Sequence, residues 1–353
     1  MKTKLQRLVP PIPEHSIQQS IQISEPHLFA QLTACSSNIS RLSSTDAEVF
    51  RYAFEQEDLC YANSWLYLLR STRNDYGASG YKFVGKETYM GIGYRNNTIY
   101  IVHPMGPGRF EATRDLAEAL RKNLACPIIL KKVDQALYEY LSSSGLFQPF
   151  ADASPLCEEE VFPEHVLLLP RLYGSEGGRY QRSSLPFMRK VRRFEKNAIQ
   201  LLVQTDISGI EHYPGFRDLF GAHPDKYRSY LQIIQEVSSQ GPDNDRYKAC
   251  AYCEEDGPLR GLYITERLKA QSMGLYCAVV ARLAPGVTEW MDHDFFRRVS
   301  NDGISALYLG GSETAGVHAY VKKLLPTEPP YCQRPMYCTY DPVLSIEDVV
   351  AAD

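Results

Sequence analysis

The strongest constraint on this chain is that its second half repeats the layout of its first. Tyr276–Ala281 (YCAVVA) reads as a strand, followed by a Pro285-Gly286 loop and a helical stretch, Val287–Ser300. A second strand, Ser305–Leu309 (SALYL), leads through Gly310-Gly311 into another helical stretch, Glu313–Leu324. Shifted back by 178 positions (Pro285 minus Pro107), the first half shows the same series. Thr98–His103 (TIYIVH) is a strand, Pro107-Gly108 the loop, Phe110–Leu124 a helix, Pro127–Val133 a strand and Asp134–Ser143 a helix. The residues themselves agree poorly, so what repeats is secondary structure. A duplicated α/β unit constrains the fold where no single motif does.

A length of 353 residues accommodates two domains, each able to bury a core. A hydrophobic share of 44% and a charged share of 23% are those of a globular protein. The net charge of −4 supplies no global attraction to nucleic acid or anionic membrane, so such binding requires a local patch. No apolar run is long enough to span a bilayer. The segment MKTKLQRLVPPIPEHS lacks the apolar stretch of a secretory signal, and nine scattered cysteines suit free thiols. The expected compartment is a reducing cytoplasm. Cys250 and Cys253 fall in a strand-like run, where residues three apart point to opposite faces, so no metal site is expected.

Around the repeat, Thr45-Asp46 is placed to cap a helix through Phe54, and Asn63 to cap another through Arg70. Three strands follow, near Tyr81–Gly85, Thr88–Tyr94 and Thr98–His103, the last two joined by a tight turn at Arg95-Asn96-Asn97. Gln148–Pro163 reads as a loop, with a closing strand before or within Val161–Leu169. The second unit opens with a helix near Pro224–Ser238, then strands Tyr247–Cys253, Leu259–Leu268 and Met273–Ala281, and ends on a strand at Cys332–Tyr340. The expected division is 1–169 and 170–353, with a basic helix over about 185–197 at the junction. An antiparallel meander followed by α-β-α-β resembles the order of a GNAT-like acyltransferase domain. The expected fold class is α/β, an α+β mixed sheet built as two tandem GNAT-like domains. That resemblance implies a V-shaped cleft where the fourth and fifth strands splay, here Tyr276–Ala281 and Ser305–Leu309 in the second unit.

Two further stretches sharpen the resemblance. ALYLGGSETAGVHAYVKKLLP (Ala306–Pro326) is similar to a strand, Gly-Gly turn and helix of Fem-type aminoacyl transferases. Gly310-Gly311 and Gly316-Val317 match its spacing and Tyr320 stands at its aromatic, while the family's lysine position holds Val321, with Lys322 beside it. WLYLLR (Trp65–Arg70), HPMGPGR (His103–Arg109) and the basic run GGRYQRSSLPFMRKVRRFEKN resemble the soluble synthase domain of phosphatidylglycerol lysyltransferases. The resemblance implies transfer of an amino acid from aminoacyl-tRNA, as co-substrate, to an amine or hydroxyl acceptor. A peptide or metabolite suits a chain without membrane spans better than a lipid.

The basic run carries its own argument. Arg189, Arg192, Arg193 and Lys196 share one helical face, and Phe187, Met188, Val191, Phe194 and Ala198 share the other. Such a face fits a polyanion such as a tRNA stem, or is the solvated side of a helix packed between domains. At the second cleft, Glu313 follows the Gly-Gly-Ser turn and is the candidate to orient or deprotonate the attacking group; a bland first-turn acid is the alternative. Tyr308, near the strand end, either donates to a leaving ribose oxygen or packs in the core. Gly310, Gly311, Ser312, Thr314 and Arg282 are the candidate substrate contacts. The loops MGPGRFE and RLAPGVTE lack the coenzyme A pattern of acetyltransferases. Proline removes an N–H from each, and Glu111 or Glu289 would repel a diphosphate. An acyl-CoA or carrier-protein donor is therefore the second reading and a non-catalytic binding module the third. Asp292-His293-Asp294 cannot converge on one ion from a helix and reads as a solvated face, and His103 before a Gly loop reads as structural.

Overall fold

The computed structural model of the protein describes residues 24–76, 80–124, 126–149, 164–173, 185–197, 199–220, 224–241, 244–281, 283–310, 319–324 and 334–338. The first half runs α1 (Glu25–Cys35), β1 (Ile39–Arg41), α2 (Ala47–Gln56), α3 (Trp65–Thr72), β2 (Tyr81–Val84), β3 (Tyr89–Arg95) and β4 (Thr98–Met105). It continues through α4 (Arg109–Asn123), β5 (Ile128–Val133), α5 (Gln135–Ser143), β6 (Phe147–Pro149), β7 (His165–Leu168) and α6 (Leu169–Tyr173). The second half holds α7 (Leu185–Glu195), β8 (Leu201–Gln204), α8 (Phe216–Leu219), α9 (Pro224–Ser239), β9 (Tyr247–Glu254), β10 (Leu259–Lys269) and β11 (Ser272–Val280). It ends with α10 (Val287–Asn301), β12 (Ala306–Gly310) and β13 (Arg334–Cys338).

The repeat is real at the level of elements. Helices α4 and α10 each have 15 residues, and both their first residues (287 minus 109) and their last (301 minus 123) are 178 apart. The β3–β4 turn forms at Asn96-Asn97, both in the left-handed region (φ 50° and 55°), as a two-residue hairpin requires. Asp134 caps α5 by accepting from the Leu137 amide at 2.8 Å. Helix α3 is capped by the Ser64 hydroxyl rather than by Asn63. The expected loop from Gln148 begins inside β6.

The two sheets do not follow the halves of the chain. One has the order β1-β2-β3-β4-β5-β13-β6, the other β7-β12-β11-β10-β9-β8. Strand β7 of the first half lies antiparallel to β12, and β13 from the end of the second half inserts between β5 and β6. Each half therefore closes the other's sheet. Once β4 parts from β5, or β11 from β12, the inner strand needs a new partner for its backbone groups, and the exchanged strand supplies it.

The units also share a core. One apolar cluster joins Trp65, Leu66, Val102 and Met105 to Ile233, Ile264, Tyr276 and Tyr308. Asp292 and Asp294 lie inside the second unit rather than on a solvated face. Asp292 accepts from the Tyr263 hydroxyl at 2.6 Å and from Tyr320, and Asp294 accepts from Tyr252 at 3.1 Å. Two aspartates two residues apart thus serve different tyrosines, because α10 lies against a tyrosine-bearing sheet. Burial raises the Asp292 carboxyl to about 6, against the opposing pull of the two tyrosine hydroxyls.

A second-unit carboxylate fixes the first-unit helix α3. Glu266 on β10 accepts from the Ser64 hydroxyl at 2.6 Å and the amides of Leu66 at 2.9 Å and Trp65 at 3.3 Å. These are donors at a helix start, where a carboxylate also meets the favourable end of the dipole. Glu266→Ala is expected to lower the unfolding free energy by about 3 kcal/mol in urea titrations, since hydrogen bonds to a charged group contribute roughly 1.5–3 kcal/mol each. Glu266→Gln, which keeps one acceptor oxygen, is expected to lose less.

Candidate functional site at the splayed strands

Each unit opens where its two parallel strands separate. Strands β4 and β5 pair from Ile99↔Ile128 to Val102↔Lys131 and then part. The next residue on each strand, His103 (φ 49°) and Lys132 (φ 60°), takes a left-handed backbone that non-glycine residues adopt at a cost. Strands β11 and β12 pair only from Ser272↔Ala306 to Gly274↔Tyr308.

The second wedge is occupied by a side chain of the first unit. Tyr61 donates to the Leu275 carbonyl at 3.0 Å, and Tyr276 donates to the Tyr61 carbonyl at 2.7 Å. The two rings lie 4.6 Å apart. Gly310 (φ +70°) permits this approach, because a Cβ there would sit 2.9 Å from the Tyr61 ring.

The first wedge holds a cavity of about 250 Å³ lined by Glu57, Asp58, His103, Arg109, Lys132 and Asp134, with Pro104, Gln135 and Ala136. Arg109 pairs with Asp134 at 3.0 Å, and Lys132 with the buried Glu164. Glu164 immediately precedes β7, so this buried pair ties the end of one sheet to the other. The Lys132 ammonium also lies 6.0 Å from the Tyr61 ring centre and 5.7 Å from that of Tyr67, so Tyr61 stands between the two wedges. Glu57 accepts from the Gly106 amide at 2.7 Å.

Asn63 organises the floor. Its Nδ2 donates to the Asp58 carbonyl at 2.8 Å and the Phe54 carbonyl at 3.3 Å, which fixes the amide orientation. Its Oδ1 therefore faces two donors, the Cys60 thiol at 2.9 Å and His103 Nε2 at 2.8 Å. This assigns the His103 proton to Nε2 and leaves Nδ1 as a lone-pair acceptor. Nδ1 is buried with no hydrogen-bond partner, in a residue only 4% exposed. Burial drives the imidazole down to about 4; the Lys132 backbone offsets part of this, while the charges of Lys132 and Arg109 add to it. Burial likewise pushes the Cys60 thiol up to about 12, so it stays protonated.

The sequence candidates are distributed unevenly around this centre. Gly310 forms the end of β12 under Tyr61. Tyr308, 6% exposed, is part of the shared core, and burial raises its hydroxyl pKa. Arg282, Gly311, Ser312, Glu313 and Thr314 lie outside the described residues. On α7, Phe187, Met188, Val191 and Phe194 are buried, with Phe194 5.4 Å from Trp290 of α10. Arg189, Arg192, Arg193 and Lys196 are exposed and form no ion pair among the described residues. Glu289 is buried under α7 against Lys190. Sequence reasoning did not assign Glu57, Asp58, Arg109, Lys132 or Glu164. The available signal was the pair Lys131-Lys132 inside an otherwise apolar strand, both buried. Among the described residues, no group of His, Cys, Asp and Glu is arranged to hold a metal ion, and no helix is long and apolar enough to cross a membrane.

No protein-family model matches the chain, and no curated protein matches it in sequence. Solved structures do share its architecture. A conserved protein of unknown function from Bacteroides thetaiotaomicron aligns over 85% of this chain and 98% of its own, at TM-score 0.59 and 11% identity. L-PGS from Bacillus licheniformis covers 88% and 96% at TM-score 0.55 and 11% identity. FemX covers 86% and 98% at TM-score 0.53 and 11% identity. At such identities the likeness is one of fold, and the chain has the tandem GNAT-like fold of L-PGS and FemX.

The hydrogen bonding around Asn63 makes a spectroscopic prediction. His103 is expected to stay neutral from pH 5 to 8, with its nitrogen resonances showing an Nε2–H tautomer. A titration near 6.5 in that signal would contradict the arrangement.

Proposed function

We propose that the protein is an acyltransferase that moves an aminoacyl group from aminoacyl-tRNA to a small amine or hydroxyl acceptor. The observation that carries this reading is the face of α7. Arg189, Arg192, Arg193 and Lys196 stand in solvent without acidic partners among the described residues, on a protein whose net charge is −4. A cationic stripe held by a buried apolar face is what an RNA backbone requires of a helix. The fold shared with L-PGS and FemX, and the sequence resemblance to Fem-type and lysyltransferase enzymes, support the same reading.

The loops before α4 and α10 favour tRNA over coenzyme A as donor. In the first loop the Gly106 amide is given to Glu57, the Gly108 amide to the Glu87 carbonyl and the Arg109 amide to the Gly106 carbonyl. In the second, Gly286 (φ +92°) is pressed on α7, where a Cβ would meet the Lys190 carbonyl at 2.3 Å, and Glu289 fills the first helical turn. A diphosphate would meet spent donors in one loop and a carboxylate in the other.

The chemistry asked of the protein is modest because an aminoacyl ester is already activated. The acceptor nitrogen or oxygen attacks the ester carbonyl, a proton leaves the nucleophile, and the ribose oxygen departs with a proton. Positioning and oxyanion stabilisation supply the rate. In this reading Glu313 accepts the nucleophile's proton and Tyr308 lines the second wedge, with Gly310, Gly311, Ser312, Thr314 and Arg282 around the ester.

The decisive experiment incubates the protein with charged tRNA and a panel of acceptors, with and without ribonuclease, and reads aminoacylated product by mass. Product abolished by ribonuclease is expected; product formed only with acyl-CoA would sink the reading. Arg192→Glu with Arg193→Glu is expected to weaken tRNA binding at least tenfold and flatten its salt dependence. For Glu313→Gln the expected loss in turnover is roughly 10²–10⁴-fold, the usual range for a general base. An unchanged turnover would reduce Glu313 to a helix-start acid.

A further inference from the structure

The cavity of the first unit is not accounted for by an RNA donor, and its chemistry is specific. Five ionisable side chains besides His103 line it. Arg109 is neutralised by Asp134, and Lys132 by Glu164. Glu57 and Asp58 remain, with no ion pair among the described residues. Glu57 is half-buried and its carboxylate receives only the Gly106 amide; Asp58 stands exposed at the rim. The cavity is therefore locally anionic although two of its lining residues are cations.

Two carboxylates do not by themselves make a site. The second observation is His103 Nδ1, a buried acceptor whose tautomer is set by Asn63 and which has no donor in the protein. Leaving such an atom unpaired costs roughly 1–3 kcal/mol. The left-handed backbone at His103 and Lys132 adds further strain at the same point. An acceptor held in place at this cost, beside uncompensated carboxylates, asks for a ligand that brings both a positive charge and an N–H donor. A primary ammonium group brings both. At about 250 Å³ the cavity is below the usual range for drug-sized ligands and suits an aliphatic amine or the end of an amino-acid side chain.

We propose that the first-unit cleft binds a primary amine, with Glu57 and Asp58 holding its charge and His103 Nδ1 accepting one of its N–H bonds. This deepens the proposed acyl transfer by naming a cationic amine as the acceptor class and the first unit as its site, and it rests on that reading only for the amine's role. The first unit is then a working half rather than scaffold, with Tyr61 as the wall between amine and donor wedges.

The test is direct binding to the full chain, without RNA. Butylamine and 1,4-diaminobutane are titrated by calorimetry against 1-butanol, butyrate and inorganic phosphate, while the His103 nitrogen resonances are followed. The amines are expected to bind at least tenfold more tightly than the alcohol and the anions, and to shift the Nδ1 signal. Glu57→Gln with Asp58→Asn is expected to weaken amine binding at least tenfold with unchanged thermal melting, since neither residue is deeply buried. Preference for butyrate, phosphate or butanol would overturn the proposal. So would amine binding that the double variant leaves intact, an unmoved Nδ1 signal, or no binding at tens of millimolar. Amine binding in a protein without ribonuclease-sensitive transfer would support this inference and sink only the tRNA donor.

Discussion

The Glu266 carboxylate is the interaction on which the meeting of the two units depends. It reaches from the middle of one sheet to the first amides of α3, which belongs to the other unit. Fixing the start of α3 fixes the loop before it, and that short loop supplies nearly everything at the centre. Tyr61 fills the second wedge, Asn63 sets the His103 tautomer, and Asp58 reaches the rim of the first cavity. Burial pushes the Glu266 carboxyl up, and the Leu66 amide, the Ser64 hydroxyl, Arg51 and the Trp65 amide draw it back. A buried carboxylate with three donors is stable where an unpaired one would not be.

The strand exchange makes the same point at the scale of the fold. Two GNAT-like units joined by a linker would be free to move as separate bodies. Here β7 and β13 cross between sheets and one apolar cluster runs through both units. The wedges are held in fixed relation, as an acceptor and a donor site must be if their groups are to meet in line. The Lys132–Glu164 pair is a second tie, buried where β5 ends and β7 begins.

The duplicated copies have diverged along a physical logic. In one wedge, Gly310 makes room for an aromatic ring from the partner unit. In the other, His103, Lys132 and their neighbours keep a polar cavity open. The aspartates of α10 show how such polarity is absorbed elsewhere: Asp292 and Asp294 disappear under tyrosine hydroxyls and face no cavity.

Periodicity and turn chemistry in the sequence were enough to determine the elements and their repeat. Helices α4 and α10 begin and end one repeat apart, and the Asn96-Asn97 hairpin forms where its residues permit a left-handed backbone. The amphipathic α7, with its cations outward, was equally legible, because hydrophobic spacing is a local signal. Only the tertiary structure decided which sheet each closing strand joins, that Glu266 caps a helix some 200 residues away, and that His103 faces a cavity with a free nitrogen. These facts rest on contacts between residues distant in sequence. A strand's alternation records that one face is buried, and nothing in it records against what.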